Sequence, residues 1–198
     1  MDDFAPAIMD DRDGDRYGRA AIALHWLTVL LLIGSFTVGL SMVGLPFGRQ
    51  KLQWYALHKS IGITVFLVTC LRVAWRAFRG APAPLATMPQ WQRRASVLVH
   101  GALYGLLLAI PLSGWVYSSS TGVQVVYLGL FPLPDLVPKD RALARALLAL
   151  HLTLNFTLFS LVCVHTAAAL KHHFIDGDTV LARMLPPWRS VIQGKGPR

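Results

Sequence analysis

The sequence predicts an all-α membrane protein, a four-transmembrane-helix up-and-down bundle. Charged residues make up only 15% of the 198-residue chain and hydrophobic ones 54%, where soluble domains carry roughly a quarter charged residues. Mean hydropathy is +0.48. Four apolar runs, at about 22–43, 57–78, 97–117 and 147–170, reach the roughly 20 residues that a helix needs to cross a bilayer core.

The elements follow in order. Residues 1–16 are polar and hold six Asp, a composition that favours a disordered acidic tail. The first run, IALHWLTVLLLIGSFTVGLSMV, is too long for a signal-peptide core, and its N-terminal flank is too acidic, so it reads as a retained span. The loop LPFGRQKLQ leads to the second span. The Pro-rich RGAPAPLATMPQ leads to the third. Residues 118–145 form the longest connection and carry Val125, Val126, Tyr127, Leu128, Leu130 and Phe131. Such an apolar load predicts a segment lying partly at the membrane surface and capping the bundle. The fourth span closes a transmembrane domain over 17–188, and 189–198 is a C-terminal tail. Trp26, Trp54, Trp75, Trp115, Tyr117 and Tyr127 cluster near span ends, as interfacial anchors do. No soluble domain and no internal repeat are recognised.

A net charge of +9 would suit nucleic acid, but its distribution argues for a membrane and no nucleic-acid partner. Thirteen Lys and Arg fall on the side of the two termini and the second connection. The opposite side has six: Arg49, Lys51, Lys59, Lys139, Arg141 and Arg145. The positive-inside rule places the N- and C-termini in the cytoplasm. Glu is absent, and no carboxylate occurs between Asp15 and Asp135. This excludes a carboxylate proton relay or a carboxylate-bridged metal pair inside the bundle. Cys70 and Cys163 are isolated thiols without C-x-x-C-H, so they read as small packing residues rather than metal or haem attachment sites.

The histidines carry the chemistry. His151 and His165 are fourteen residues apart on one apolar run. At ~100° and ~1.5 Å per residue, they share a face and stand ~21 Å apart along the axis. Neutral imidazole is an axial ligand for haem iron. With helices alternating in direction, His58 pairs with His151 at the outer level. His25, His100 and His165 lie at the inner level. Two layers of intramembrane imidazoles point to a bundle enclosing two b-type haems, with His58, His151, His165 and His25 as iron ligands. His100 reads as a residue beside the haem or a quinone. Arg72 is fourteen residues beyond His58, and with Arg76 it is placed to pair with inner haem propionates as well as to anchor the span. His172, seven residues beyond His165, points back toward the same face and is placed to touch a quinone or a propionate. His173 reads as interfacial. Gly62, Gly101 and Gly105 allow close approach of helices or of a flat macrocycle.

RYGRAAIALHW, LHKSIGITVFLVTCLRVAWR, HGALYGLLLAIPLSGW and, most specifically, HTAAALKHHFIDGDTVLARMLPPW resemble the bacterial cytochrome b561 family over residues 16–188. The compact length and the H-x-A-A-A-L-x-H-H ending resemble its superoxide:ubiquinone oxidoreductase branch. The resemblance implies four helices, two haem b with ligands at His25, His58, His151 and His165, and a bacterial inner-membrane location. It also implies oxidation of periplasmic superoxide, with ubiquinone as acceptor. Residues 1–15 have no counterpart in the pattern.

The expected function is therefore transmembrane electron transfer. Lys59, with Arg49 and Lys51, is placed to focus a small anion on the outer site. Quinone reduction needs protons, and His100 and His172 are the groups able to deliver them. The alternative is a cytochrome b subunit that anchors a hydrogenase or another periplasmic dehydrogenase and passes its electrons to quinone. A cofactor-free structural protein does not explain the paired depths.

Overall fold

The computed structural model describes residues 16–185. The acidic leader 1–15 and the segment 186–198 lie outside the described residues, so the expected tails are largely beyond it. Four long helices dominate: α1 (Arg19–Gly44), α2 (Arg49–Arg79), α3 (Gln90–Thr121) and α4 (Arg141–Phe174). Each contains a stretch long and apolar enough to cross a membrane. At most 11% of that stretch is buried within the protein, so the apolar surface faces outward, as lipid requires and water forbids.

The helices outrun the apolar runs that announce them. α3 begins at Gln90 behind Pro89, which cannot donate a backbone hydrogen bond. It ends on Gly122, whose φ of 76° is the left-handed conformation that closes a helix. α4 begins at Asp140, whose carboxylate accepts from the amides of Ala142 and Leu143 at 2.7 and 3.0 Å. Both ends project past the hydrocarbon on polar residues that hydropathy alone does not assign.

Consecutive helices pack as antiparallel neighbours, α1 on α2, α2 on α3 and α3 on α4. The Phe36–Phe159 contact, at 6.1 Å between ring centroids, joins α1 to α4 and closes the bundle. Its core is Val65, Leu107, Ile110 and Leu158, with Leu32, Phe36 and Leu154 packed around it. Three of the four core residues lie seven residues from a histidine on both the sequence and the face: Val65 after His58, Leu107 after His100, Leu158 after His151. An aliphatic layer therefore separates two polar ones.

The long connection folds as a hairpin, β1 (Val126–Tyr127) against β2 (Phe131–Pro132), antiparallel. Leu128 and Gly129 turn it with φ of 54° and 70°. It is fastened to α2, where the Leu128 amide donates to Ser60 Oγ at 3.1 Å and Tyr127 Oη meets Thr64 Oγ1 at 3.2 Å. Leu128, Leu130 and Phe131 remain exposed at its tip. At the other end of the bundle, Arg16 donates to the carbonyls of Ala182 and Leu185, and Trp26 Nε1 donates to Met184 O. Trp115 Nε1 likewise donates to Pro134 O, so two of the expected interfacial tryptophans also tie the protein to itself.

Two expectations about small residues need correction. Cys70 and Cys163 are free and exposed on helix flanks rather than packed inside. Gly101 and Gly105 have no atom within 4 Å of an added Cβ, so they mediate no close helix contact, and their open side bears only on the macrocycle half of the expectation. Neither does Gly62, although it lines a cavity beneath the outer histidines.

Candidate haem-binding site

Two layers of imidazoles stand at opposite ends of the aliphatic core. In the first, His58 on α2 faces His151 on α4, with ring centroids 6.4 Å apart and planes at 87°. Each ring is fixed from behind. His58 Nδ1 lies 3.2 Å from the Ser35 carbonyl, which accepts its proton. His151 Nδ1 lies 2.9 Å from Ser113 Oγ. Ser113 gives its own proton to Ile110 O at 2.7 Å, so its oxygen is the acceptor toward the ring. Both imidazoles are thereby set with the proton on Nδ1 and a lone pair on Nε2, the arrangement by which a backing hydrogen bond readies histidine for metal.

Glycines make this layer possible. A Cβ on Gly39 would lie 3.1 Å from His58 Cε1, and one on Gly114 would lie 3.1 Å from His151 Cε1. Each histidine thus uses the space that a missing side chain leaves on the antiparallel neighbour. Ser35, Ser113, Gly39 and Gly114 escaped the sequence reading. For the glycines a signal was present: Gly39 is fourteen residues after His25, and Gly114 fourteen after His100.

The second layer brings together His25, His100 and His165. His25 and His165 have centroids 6.4 Å apart, and His100 and His165 5.2 Å. His100 Nδ1 is bonded to Ser96 O at 2.6 Å. Arg72 reaches this layer as its fourteen-residue spacing from His58 predicts. Its guanidinium donates to Thr28 Oγ1 and to His25 Nδ1, both at 3.2 Å, and lies 5.2 Å from the Tyr104 ring centre. Arg76 is exposed, and its side chain makes no hydrogen bond among the described residues. His172 is apart from this trio. It binds Asp178 Oδ2 at 2.6 Å, with Asp176 Oδ2 at 3.2 Å, where the chain folds back after α4. His173 packs on Phe174.

On the opposite face the expected cations are partly engaged. Lys51 Nζ caps the end of α1 through Val43 O and Leu45 O, at 3.3 and 2.8 Å. Lys59 Nζ reaches Val123 O at 3.4 Å, and Arg49 is exposed.

These donors suit a metal held between two rings. Imidazole nitrogens bind transition metals at about 2 Å, which sets the centroids of two opposed rings roughly 6 Å apart. The 6.4 Å pairs meet that spacing, and the 5.2 Å pair is short of it. The cavity below His58 and His151 measures only about 40 Å³, so seating a macrocycle requires the helices to part. The open side of Gly62 gives room for that.

Residues 16–187 match the family described as prokaryotic cytochrome b561. The chain belongs to the prokaryotic cytochrome b561 family. It is 39% identical over 175 residues to cytochrome b561 homolog 2 of Escherichia coli K12, covering 86% of this chain and 92% of that protein. Identity to cytochrome b561 homolog 1 of the same organism is 29%, over 87% and 98% of the two chains. A probable superoxide oxidase CybB of Yersinia pestis is 27% identical, over 88% and 98%. As a cytochrome b561, this is a membrane protein of a family that transfers electrons across the membrane on b-type haem.

Proposed function

We propose that this cytochrome b561 holds two b-type haems, oxidises superoxide at the His58–His151 end and reduces ubiquinone at the His25–His165 end. The observation that carries the proposal is the pair of imidazole layers, each with a 6.4 Å ring pair, separated by the Val65–Leu107–Leu158 core. The name of the relative from Yersinia pestis supports superoxide as donor. The Lys and Arg asymmetry supports a periplasmic His58–His151 end and cytoplasmic termini in a bacterial inner membrane.

Bound haem supplies one-electron chemistry, and the chain's residues supply the rest. His58 and His151 present Nε2, with Ser35 and Ser113 holding the ring protons. His25 and His165 serve the second layer. For His25 this requires Arg72 to release Nδ1, and Arg72 and Arg76 are the residues that would hold a haem propionate. Lys59 and Arg49 attract the anion, while Lys51 acts mainly as a helix cap. Two superoxide ions each lose one electron and leave as dioxygen. Ubiquinone takes both electrons and two protons, becoming ubiquinol. His172, buffered by Asp178, and His100 deliver those protons.

A second reading is favoured by one observation. Leu128, Leu130 and Phe131 form an exposed apolar tip on the donor face, as a cytochrome b subunit taking electrons from a hydrogenase or another periplasmic dehydrogenase requires. Turnover by the isolated chain separates the two. Purified haem-loaded protein should reduce a ubiquinone analogue when superoxide is generated. The second-order rate should fall as salt screens charge over a Debye length of ~8–10 Å, and fall further in Lys59→Glu. A response no greater than the protein-free background would sink the superoxide reading and leave the partner-subunit one.

A further inference from the structure

A second polar feature lies on the same face as the outer histidines but belongs to neither haem layer. Ser120 and Thr121, at the end of α3, and Lys139, Arg141, Ala144 and Arg145, at the start of α4, line an open depression of about 470 Å³. Three cations converge on it. Arg141 and Arg145 are four residues apart, on one face of α4. The exposed Lys139 lays its stem over Gly122, with Cδ only 3.0 Å from where a Cβ would be. None of the three makes an ion pair or a side-chain hydrogen bond among the described residues.

Their placement concentrates positive charge at one end of α4. The N-terminus of α4 carries a partial positive charge, and its first turn contains no acidic residue. Asp140 is the nearby carboxylate, and its Oδ1 is already committed to the amides of Ala142 and Leu143. Three cations beside a positive helix end, with one committed carboxylate, leave an excess of positive charge around a single depression. A multivalent or tetrahedral anion relieves that excess. Two guanidiniums favour oxyanions that accept paired hydrogen bonds. The volume far exceeds that of a diatomic anion. The depression sits where the apolar run of α4 begins, at Ala146, and therefore at headgroup depth.

We propose that this depression is a binding site for a phosphate-bearing anion, held by Arg141, Arg145 and Lys139. The chemistry is shared by an anionic phospholipid headgroup and by free inorganic phosphate. The site is independent of which donor feeds the haems.

The test uses the purified, haem-loaded full chain, delipidated in detergent, and reads melting temperature. Phosphatidylglycerol micelles and inorganic phosphate are titrated separately, against phosphatidylcholine and against sodium chloride at matched ionic strength. Saturable stabilisation by phosphatidylglycerol alone assigns a lipid headgroup, and stabilisation by phosphate as well assigns a free anion. In Arg141→Gln/Arg145→Gln the half-saturating concentration should rise at least about tenfold, the loss of one or two charge-assisted hydrogen bonds. Arg145→Lys should lie between the two proteins. Arg79→Gln/Arg94→Gln, which removes equal charge at the other end, should match the wild type. An unchanged haem spectrum shows that each variant is folded. No saturable response to either probe, or an equal response in wild type and Arg141→Gln/Arg145→Gln, overturns the proposal.

Discussion

At the scale of single residues, histidine and glycine work as pairs across antiparallel helices. His58 needs Gly39, and His151 needs Gly114, because each ring leaves only 3.1 Å for a Cβ. Gly114→Ala should therefore push the His151 ring off its bond to Ser113 while adding a methyl that α-helix otherwise favours. The expected outcome is a shifted or lost spectral component of one haem, with the other unchanged, measured by redox-titrated absorption spectroscopy. A wild-type spectrum would show that the ring has room that the contact denies. The cost of glycine in a helix points instead to Gly62, Gly101 and Gly105. The fourteen-residue spacing that located the histidines, applied to glycine, picks Gly39 and Gly114. The hydrogen bonds to Ser35 O and Ser113 Oγ were not legible in the same way. They depend on helix rotation and on which neighbour is adjacent, and a sequence period fixes neither.

Each helix presents one stripe to the interior at the scale of secondary-structure elements. Its positions are His25, Leu32 and Gly39 in α1, and His58, Val65 and Arg72 in α2. In α3 they are His100, Leu107 and Gly114, and in α4 His151, Leu158 and His165. Seven-residue steps on a helix of 3.6 residues per turn keep the three positions nearly in line. The spans themselves were legible from hydropathy. Their ends were not, because α3 and α4 continue on polar residues beyond the apolar runs. Asp140 is the local reason that α4 starts where it does. Asp140→Ala should cost about 1 kcal/mol, the usual value of an N-cap, read as a lowered midpoint in denaturant with both haem spectra retained. A cost indistinguishable from zero would mean that membrane insertion, rather than capping, sets that end. The Asp178–His172 contact also escaped the sequence reading, which excluded carboxylates from the spans. The chain folds back after α4 and returns Asp178 to within 2.6 Å of His172.

Over the whole molecule, one asymmetry and one repeat of depth organise the account. Cations concentrate at the end that holds both described termini, and the proposed function takes that end as cytoplasmic by the positive-inside rule. An impermeant maleimide added to intact spheroplasts should label Gln124→Cys, beside the hairpin, and spare Thr87→Cys, in the connection between α2 and α3. The reverse pattern would invert the direction of electron flow. Under the proposed function the two imidazole layers hold one haem each, His58 with His151 and His25 with His165. The most direct measurement is the haem-to-protein ratio by pyridine haemochrome, for the wild type and for His151→Ala and His165→Ala. The expected ratio is near two in the wild type and near one in each variant, with a different spectral component missing from each. A wild-type ratio near one, or the same component lost from both variants, would contradict it.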